Sequence, residues 1–397
     1  MAWNRADIIK RAKALHPQQI KWRRHFHQNP EISNQEYDTT AFINNLLKKE
    51  KIPIIKLKNM ATGTAAFLKG KDKSGKTLAI RTDIDALPIV EQNQIPFKSK
   101  RDGVMHACGH DVHMSIVLGA AVLLNRMKED LNGNIKFLFQ PAEELPPGGA
   151  EAMIRAGIMK NPKVDMVFGL HVDPGLPVGK FSLHDGPTMA SVTDFDITIE
   201  GRGGHAASPH RAVDAIAVAA ELIDSMQKIV SREIDPMGTA VITFGTIEGG
   251  TARNVIADRV KIRATARTLS PSTLKQLPRL IKRTVNGICK SRGARANLAF
   301  VANYPVLSNH PIANRLLKES MSELFNKNDV KETPPAMGGE DFAYFLQEAP
   351  GAMFRLGIKN SRIGADKSWH SPLFMVDEEA IFFGTAALVN AALRYLK

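Results

Sequence analysis

Asn134-Ile135-Lys136-Phe137-Leu138-Phe139-Gln140-Pro141-Ala142-Glu143-Glu144 is an apolar run stopped by a proline and followed at once by two carboxylates. It reads as a buried strand that ends at Gln140, because proline lacks the amide a central strand needs. The same pattern recurs. Val164-Asp165-Met166-Val167-Phe168-Gly169-Leu170 is a second strand with His171 directly after it. Thr77-Leu78-Ala79-Ile80-Arg81 is a third, ending in Thr82-Asp83-Ile84-Asp85. Polar, ligand-type groups thus collect just past the C-terminal ends of apolar strands, where open α/β sheets place their active sites. Helical periodicity covers residues 5–14, 34–49 and about 112–128, the last with Ile116, Val117, Ala120, Ala121 and Leu124 on its apolar side. This alternation predicts a largely parallel or mixed sheet with helices on its faces.

Between the strands lies His106-Ala107-Cys108-Gly109-His110-Asp111-Val112-His113, a cysteine and three histidines in eight positions. Thiolate and imidazole bind transition metals such as zinc. Read alone, the segment also fits a buried cysteine beside exposed histidines. Glu143-Glu144, His171 and a later loop, Ser368-Trp369-His370-Ser371-Pro372, add further candidate ligands and favour the metal reading. Asp111 is expected to cap the helix that follows, leaving Cys108 and His110 in the tight loop before it.

The character changes near Gly186-Pro187. Strands are predicted over 192–200, 240–247, 258–268 and 295–301, with helices over 211–232 and 272–290. That order, β-α-β-β-α-β, is the ferredoxin-like arrangement and can stand as an inserted domain. After Asn303-Tyr304-Pro305 the chain must return to the first domain, since His370 belongs with the other ligands.

A length of 397 residues suggests two domains, and 44% apolar with 23% charged residues is ordinary for a soluble globular protein. The N-terminus has no apolar signal core, and no run reaches the length of a membrane span. Cys108 and Cys289 are the only cysteines, which argues against a disulfide framework and fits a reducing cytoplasm. The net charge of +13 gathers at Lys48-Lys49, residues 71–76 and Lys98-Ser99-Lys100-Arg101. With only 6% aromatics and no nucleic-acid-binding module, these clusters read as solvated faces; no nucleic acid or membrane partner is expected.

Several stretches, in one order along nearly the whole chain, carry a resemblance. They are Trp22-Arg23-Arg24 through Pro30-Glu31, Arg81-Thr82-Asp83-Ile84-Asp85-Ala86-Leu87-Pro88, Met105-His106-Ala107-Cys108-Gly109-His110-Asp111 and Gln140-Pro141-Ala142-Glu143-Glu144. They continue with Gly169-Leu170-His171, Gly203-Gly204-His205-Ala206, Asn254-Val255-Ile256, Gly338-Gly339-Glu340-Asp341-Phe342 and Trp369-His370-Ser371-Pro372. In these the chain resembles the aminoacylase and hippurate-hydrolase group of dinuclear metallo-amidohydrolases, which includes plant hydrolases of indoleacetyl-amino acids. The resemblance implies a zinc-peptidase-like α/β catalytic domain, residues 1–186 and 304–397, with an inserted α+β ferredoxin-like dimerisation (lid) domain, residues 187–303. It implies two divalent metal ions per subunit, Zn2+ or Mn2+, on Cys108, His110, Glu144, His171 and His370. Cys108 would bridge them, Glu144 and His370 completing one metal and His110 and His171 the other.

By the same resemblance, Glu143 is the general base for a metal-activated water, and the chain must bend after Pro141 so that both glutamates face the metals. Asp83 and Asp85 would orient a ligand imidazole. His205, helped by Asn254, would reach the substrate carbonyl across a homodimer interface. His113 reads as helix packing, and His106 receives no metal role. The expected activity is hydrolysis of the amide bond of N-acyl-L-amino acids. N-acetyl-diaminopimelate deacetylation or dipeptide cleavage is the alternative, and a catalytically silent metal-binding relative is the non-enzyme reading. Members of the family cleave many N-acyl amino acids, so the resemblance leaves the acyl group open.

Overall fold

The computed structural model describes residues 4–72 and 75–397; residues 73 and 74 of the basic 71–76 cluster and the first three of the N-terminus lie outside the described residues. The chain forms two compact units: Met1–Gly186 with Ser308–Pro334 and Tyr344–Lys397, and Pro187–Leu307 with Pro335–Ala343. The first unit opens with α1 (Arg5–Gln28), α2 (Tyr37–Lys49), β1 (Ile54–Ile55), β2 (Thr64–Lys69) and β3 (Lys76–Asp83). It continues with α3 (His110–Arg126), β4 (Gly133–Gln140), α4 (Gly149–Arg155), β5 (Met166–Pro177) and β6 (Phe181–Leu183). A short β7 (Gly186–Met189) leads to β8 (Ser191–Glu200), β9 (Gly204–His205), α5 (Ala215–Arg232), β10 (Ala240–Gly249) and β11 (Val255–Ile256). Then come β12 (Arg259–Thr268), α6 (Pro271–Ser291), β13 (Arg295–Tyr304) and β14 (Leu307–Asn309). The last stretch holds α7 (Pro311–Leu324), β15 (Val330–Glu332), α8 (Ala343–Glu348), β16 (Gly351–Lys359) and α9 (Glu379–Tyr395).

Eight strands of the first unit make one mixed sheet, in the order β1-β2-β4-β3-β5-β16-β6-β15. β4, β3, β5 and β16 run parallel at its centre, and β2 joins β4 antiparallel. β4 is buried along its whole length, Lys136 included. That ammonium donates to the carbonyls of Ile158, Lys160 and Pro162 at 2.7–2.8 Å, which makes a charge tolerable inside the sheet.

Two helices differ from the sequence reading. The helix predicted over residues 5–14 continues through Pro17 to Gln28, because Gln19, Trp22, Arg23, Phe26 and His27 are buried on its second half. α3 is buried from His110 to Leu124 rather than along one side, since α1 and α9 both pack on it. A helix enclosed all round is apolar all round, so its period is faint.

In the second unit β10-β12-β8-β13 form an antiparallel sheet, the strand order of a ferredoxin-like unit. Phe195, Ile197 and Ile199 of β8 pack with Leu222 of α5 and Leu277 and Ile281 of α6. The intervening Asp194, Asp196 and Glu200 point away from that core, Glu200 accepting from Arg259 at 3.0 Å. Among the described residues no helix is long and apolar enough to cross a membrane.

Candidate metal centre

The segment around Cys108 is shaped by Gly109, which adopts φ 90° and initiates α3. A side chain at position 109 would collide with Val172 Cγ2, so only glycine lets the loop press against β5. α3 starts earlier than the sequence suggested. His110 is its first residue, and Asp111 does not cap it; the Asp111 carboxylate turns instead to His27 and Arg23. The bend required after Pro141 sits at Ala142, held at φ 51°, in the left-handed region that alanine rarely adopts. Its amide donates to Glu36 Oε1 at 2.8 Å and its carbonyl accepts from Gly149 at 3.1 Å. Strain of this kind, on the order of 1–3 kcal/mol, persists where the surroundings enforce it.

Donor atoms of Cys108, His110 and His171 lie within 4.8 Å of one another, and so do those of Cys108, Glu144 and His370. Cys108 Sγ is common to both groups. Glu143 joins His110 and Glu144 in a third such group. His171 lies within β5 rather than after it, and Asp83 is the last residue of β3 rather than just past its end.

The histidines are oriented from behind. His110 Nδ1 donates to the Asp85 carbonyl at 2.9 Å, and His171 Nδ1 to the Val172 carbonyl at 2.8 Å. Each Nδ1 is thereby occupied and each Nε2 is left facing the candidate centre; that of His171 lies 3.5 Å from Cys108 Sγ. Asp85 Oδ2 accepts from Ser33 Oγ at 2.7 Å and from the Glu144 amide at 3.0 Å, and its Oδ1 lies 3.3 Å from His110 Nδ1, so one carboxylate steadies two candidate ligands. His113 is fully committed: Nδ1 donates to Asp83 Oδ1 at 2.7 Å, and Nε2 accepts from the Val172 amide at 2.9 Å. Arg81 donates to Asp83 and to Gln140, at 2.9 and 2.8 Å, locking the ends of β3 and β4. Asp83, expected to orient a ligand imidazole, accepts instead from His113, which the sequence reads as helix packing. His370, on its loop, sits at φ 63° with Nε2 3.5 Å from Glu144 Oε1.

Burial opposes a charge on His110, yet Asp83, Asp85 and Glu144 outweigh it and push its pKa up to about 10. Burial likewise works against ionisation of Asp83, and His110, His113 and Arg81 hold its carboxyl well below the usual carboxylate range. Burial, with His113 close by, keeps His171 neutral, as a ligand must be. Burial also pushes the Cys108 thiol up, with Glu144, Glu143 and Asp83 adding to the effect. The carboxylates that raise the His110 pKa are the same groups that make the site favourable to a cation.

The residues fit a metal on a second count. His110 Nε2 and Glu144 Oε1 are buried with no hydrogen-bond partner, an arrangement that is costly unless a cation completes it. The donor set of sulfur, imidazole and carboxylate suits a divalent transition metal. His106 is buried with neither ring nitrogen bonded, and burial lowers its pKa to about 3; it joins none of the donor groups.

His205 and Asn254 come together in the second unit. β9 pairs with β11, bringing His205 opposite Val255, and the Ala206 amide donates to the Asn254 carbonyl at 3.1 Å. Both residues are exposed and line an open cavity of about 880 Å³ with Glu248, Asp258 and Lys261.

Residues 79–394 match the model of peptidase family M20/M25/M40. The chain is 39% identical to an N-acetylcysteine deacetylase of Bacillus subtilis, over 93% of this chain and 94% of that one. It is 41% identical to an N-acetyldiaminopimelate deacetylase of Enterococcus faecalis, over 93% and 95%. Among solved structures, the Bacillus subtilis YXEP protein, a dinuclear metal binding peptidase of the M20 family, superposes with a TM-score of 0.84 at 35% identity. That match covers 97% of this chain and 99% of that one. The chain belongs to peptidase family M20/M25/M40 and is a metal-dependent hydrolase of amide bonds.

Proposed function

We propose that the protein hydrolyses the amide bond of N-acyl-L-amino acids with two divalent metal ions, zinc or manganese, held by Cys108, His110, Glu144, His171 and His370. The observation that carries this reading is the pair of three-residue donor groups sharing Cys108 Sγ. Two-metal hydrolytic sites hold their ions roughly 3.5–4 Å apart, a spacing that one bridging atom supports. When bound, such a pair acidifies water and polarises the scissile carbonyl. Glu143 accepts the proton of the attacking water and delivers it to the departing amine nitrogen. Asp85 keeps His110 Nε2 and the Glu144 carboxylate in register; Asp83 does the same for His113 and β5. Asp85→Asn should weaken metal binding about 10–100-fold, measured by competition with a chelator of known affinity.

In this reading residues 187–303, the bulk of the second unit, form a dimerisation lid inserted between the two parts of the catalytic domain, 1–186 and 304–397. His205 and Asn254 stabilise the carbonyl oxygen as charge develops, acting on the partner's site in a homodimer. His205→Ala and Glu143→Gln homodimers should each be nearly inactive. Mixed with confirmed subunit exchange, they should regain activity in proportion to the heterodimer fraction. Complete exchange without recovery would assign His205 to its own subunit or to structure.

The substrate test is a screen of N-acetyl-amino acids, hippurate, N-acetyl-diaminopimelate and dipeptides on metal-restored protein. Turnover of N-acyl amino acids supports the proposal. A preference for N-acetyl-diaminopimelate supports a second reading, favoured by the deacetylase among the relatives.

A further inference from the structure

Arg23 and His27 of α1 are buried charged side chains that belong to none of the donor groups converging on Cys108. His27 donates through Nδ1 to Asp111 Oδ2 at 2.8 Å and through Nε2 to Glu91 Oε1 at 3.1 Å. Arg23 Nε lies 2.8 Å from the same Asp111 oxygen, and its Nη1 3.3 Å from Glu378 Oε1. Asp111 follows His110 directly, and its second oxygen accepts from the Val112 amide at 3.0 Å. The first turn of α3 is therefore fixed from α1.

The contacts continue on the other side of the ring. Glu91 accepts from the Ser99 amide at 2.7 Å and from the Asn93 side chain at 3.1 Å. Asn93 also donates to the Phe374 carbonyl at 3.0 Å, and the Gln92 amide donates to the Pro372 carbonyl at 2.9 Å. Residues 372–374 follow His370, whose own amide donates to the Ala107 carbonyl at 2.9 Å. His370 is held in a left-handed backbone conformation that needs outside support. One imidazole thus joins, through a carboxylate on each nitrogen, the two chain segments that bear Cys108 with His110 and His370.

We propose that His27, backed by Arg23, is a positioning residue for the metal centre: it ties the first turn of α3 to the loop carrying His370 and so sets metal affinity. This rests on the ligand assignment proposed above. Nothing in its geometry brings it to substrate, so its effect is on binding of the metals rather than on the bond-breaking step.

The test titrates metal-free wild-type, His27→Gln and Glu91→Gln proteins with Co2+, following the visible d–d bands and the thiolate-to-cobalt band. The melting temperature of each metal-free protein is measured separately. His27→Gln should bind Co2+ about 10–100-fold more weakly with altered bands, and Glu91→Gln should shift the same way by less. At saturating metal, kcat and KM should stay within a few-fold of wild type. Unchanged cobalt affinity and bands in a folded variant would overturn the positioning role, whatever its melting temperature. If His27→Gln does not fold, Glu91→Gln decides. A wild-type cobalt spectrum that Cys108→Ser leaves unaltered would overturn the ligand assignment and this proposal with it. A Cys108-dependent spectrum with unchanged variants overturns the positioning role alone.

Discussion

Glu143→Gln should lose roughly 10²–10⁴-fold in turnover, the loss typical of removing a general acid-base group, while still binding its metals. The amide keeps the size and shape of the carboxylate but cannot take a proton from water. Glu144→Gln is the contrasting variant. Its carboxylate lies 3.5 Å from His370 Nε2 and 3.7 Å from His110 Nε2, between two candidate ligands, so losing its charge should release metal. The pair is separated by measuring metal content and turnover on the same preparations. A metal-free Glu143→Gln beside a metal-loaded, inactive Glu144→Gln would reverse the two roles.

Cys108→Ser should reduce metal affinity by more than the roughly 10–100-fold expected for the residues behind the ligands. It should abolish most turnover. Sγ is the one atom common to both donor groups, and a serine hydroxyl gives up its proton far less readily than a thiol. The protein should still fold, because exchanging sulfur for oxygen removes almost no volume. Metal content after dialysis and the melting temperature of the metal-free protein check both halves. Full activity with metal still bound would exclude Cys108 from contact with the metal.

The long strands and both helices of the second unit were readable to within a few residues of their ends. Its strands have one face on α5 and α6 and one charged, as in Asp194-Phe195-Asp196-Ile197, so alternation survives in the sequence. The central strands of the first unit were readable as apolar runs, though His171 and Asp83 were assigned just outside strands that contain them. A polar residue at the end of a buried strand looks like a loop residue until the register with neighbouring strands is known. α1 and α3 were read short or one-sided, because Pro17 sits inside a helix and α3 has no exposed face. The donor residues could be named, chiefly through the resemblance, and so could Asp85 behind them, but the longer-range contacts that hold them could not. His27 and Asp111 are 84 positions apart, Asn93 and Phe374 281, and only the fold brings such pairs within hydrogen-bond distance. The bend at Ala142 leaves no mark either, since alanine gives no hint of a left-handed conformation.

The most direct measurement is a titration of chelator-treated protein with Zn2+ or Mn2+ while following hydrolysis of an N-acetyl-L-amino acid that the screen identifies as turned over. Activity should be absent without metal and should rise to a plateau at about two equivalents per chain, the stoichiometry of a two-metal hydrolytic site. Hydrolysis that persists in protein shown to be metal-free, or a plateau at a single equivalent, would contradict a dinuclear centre built around Cys108.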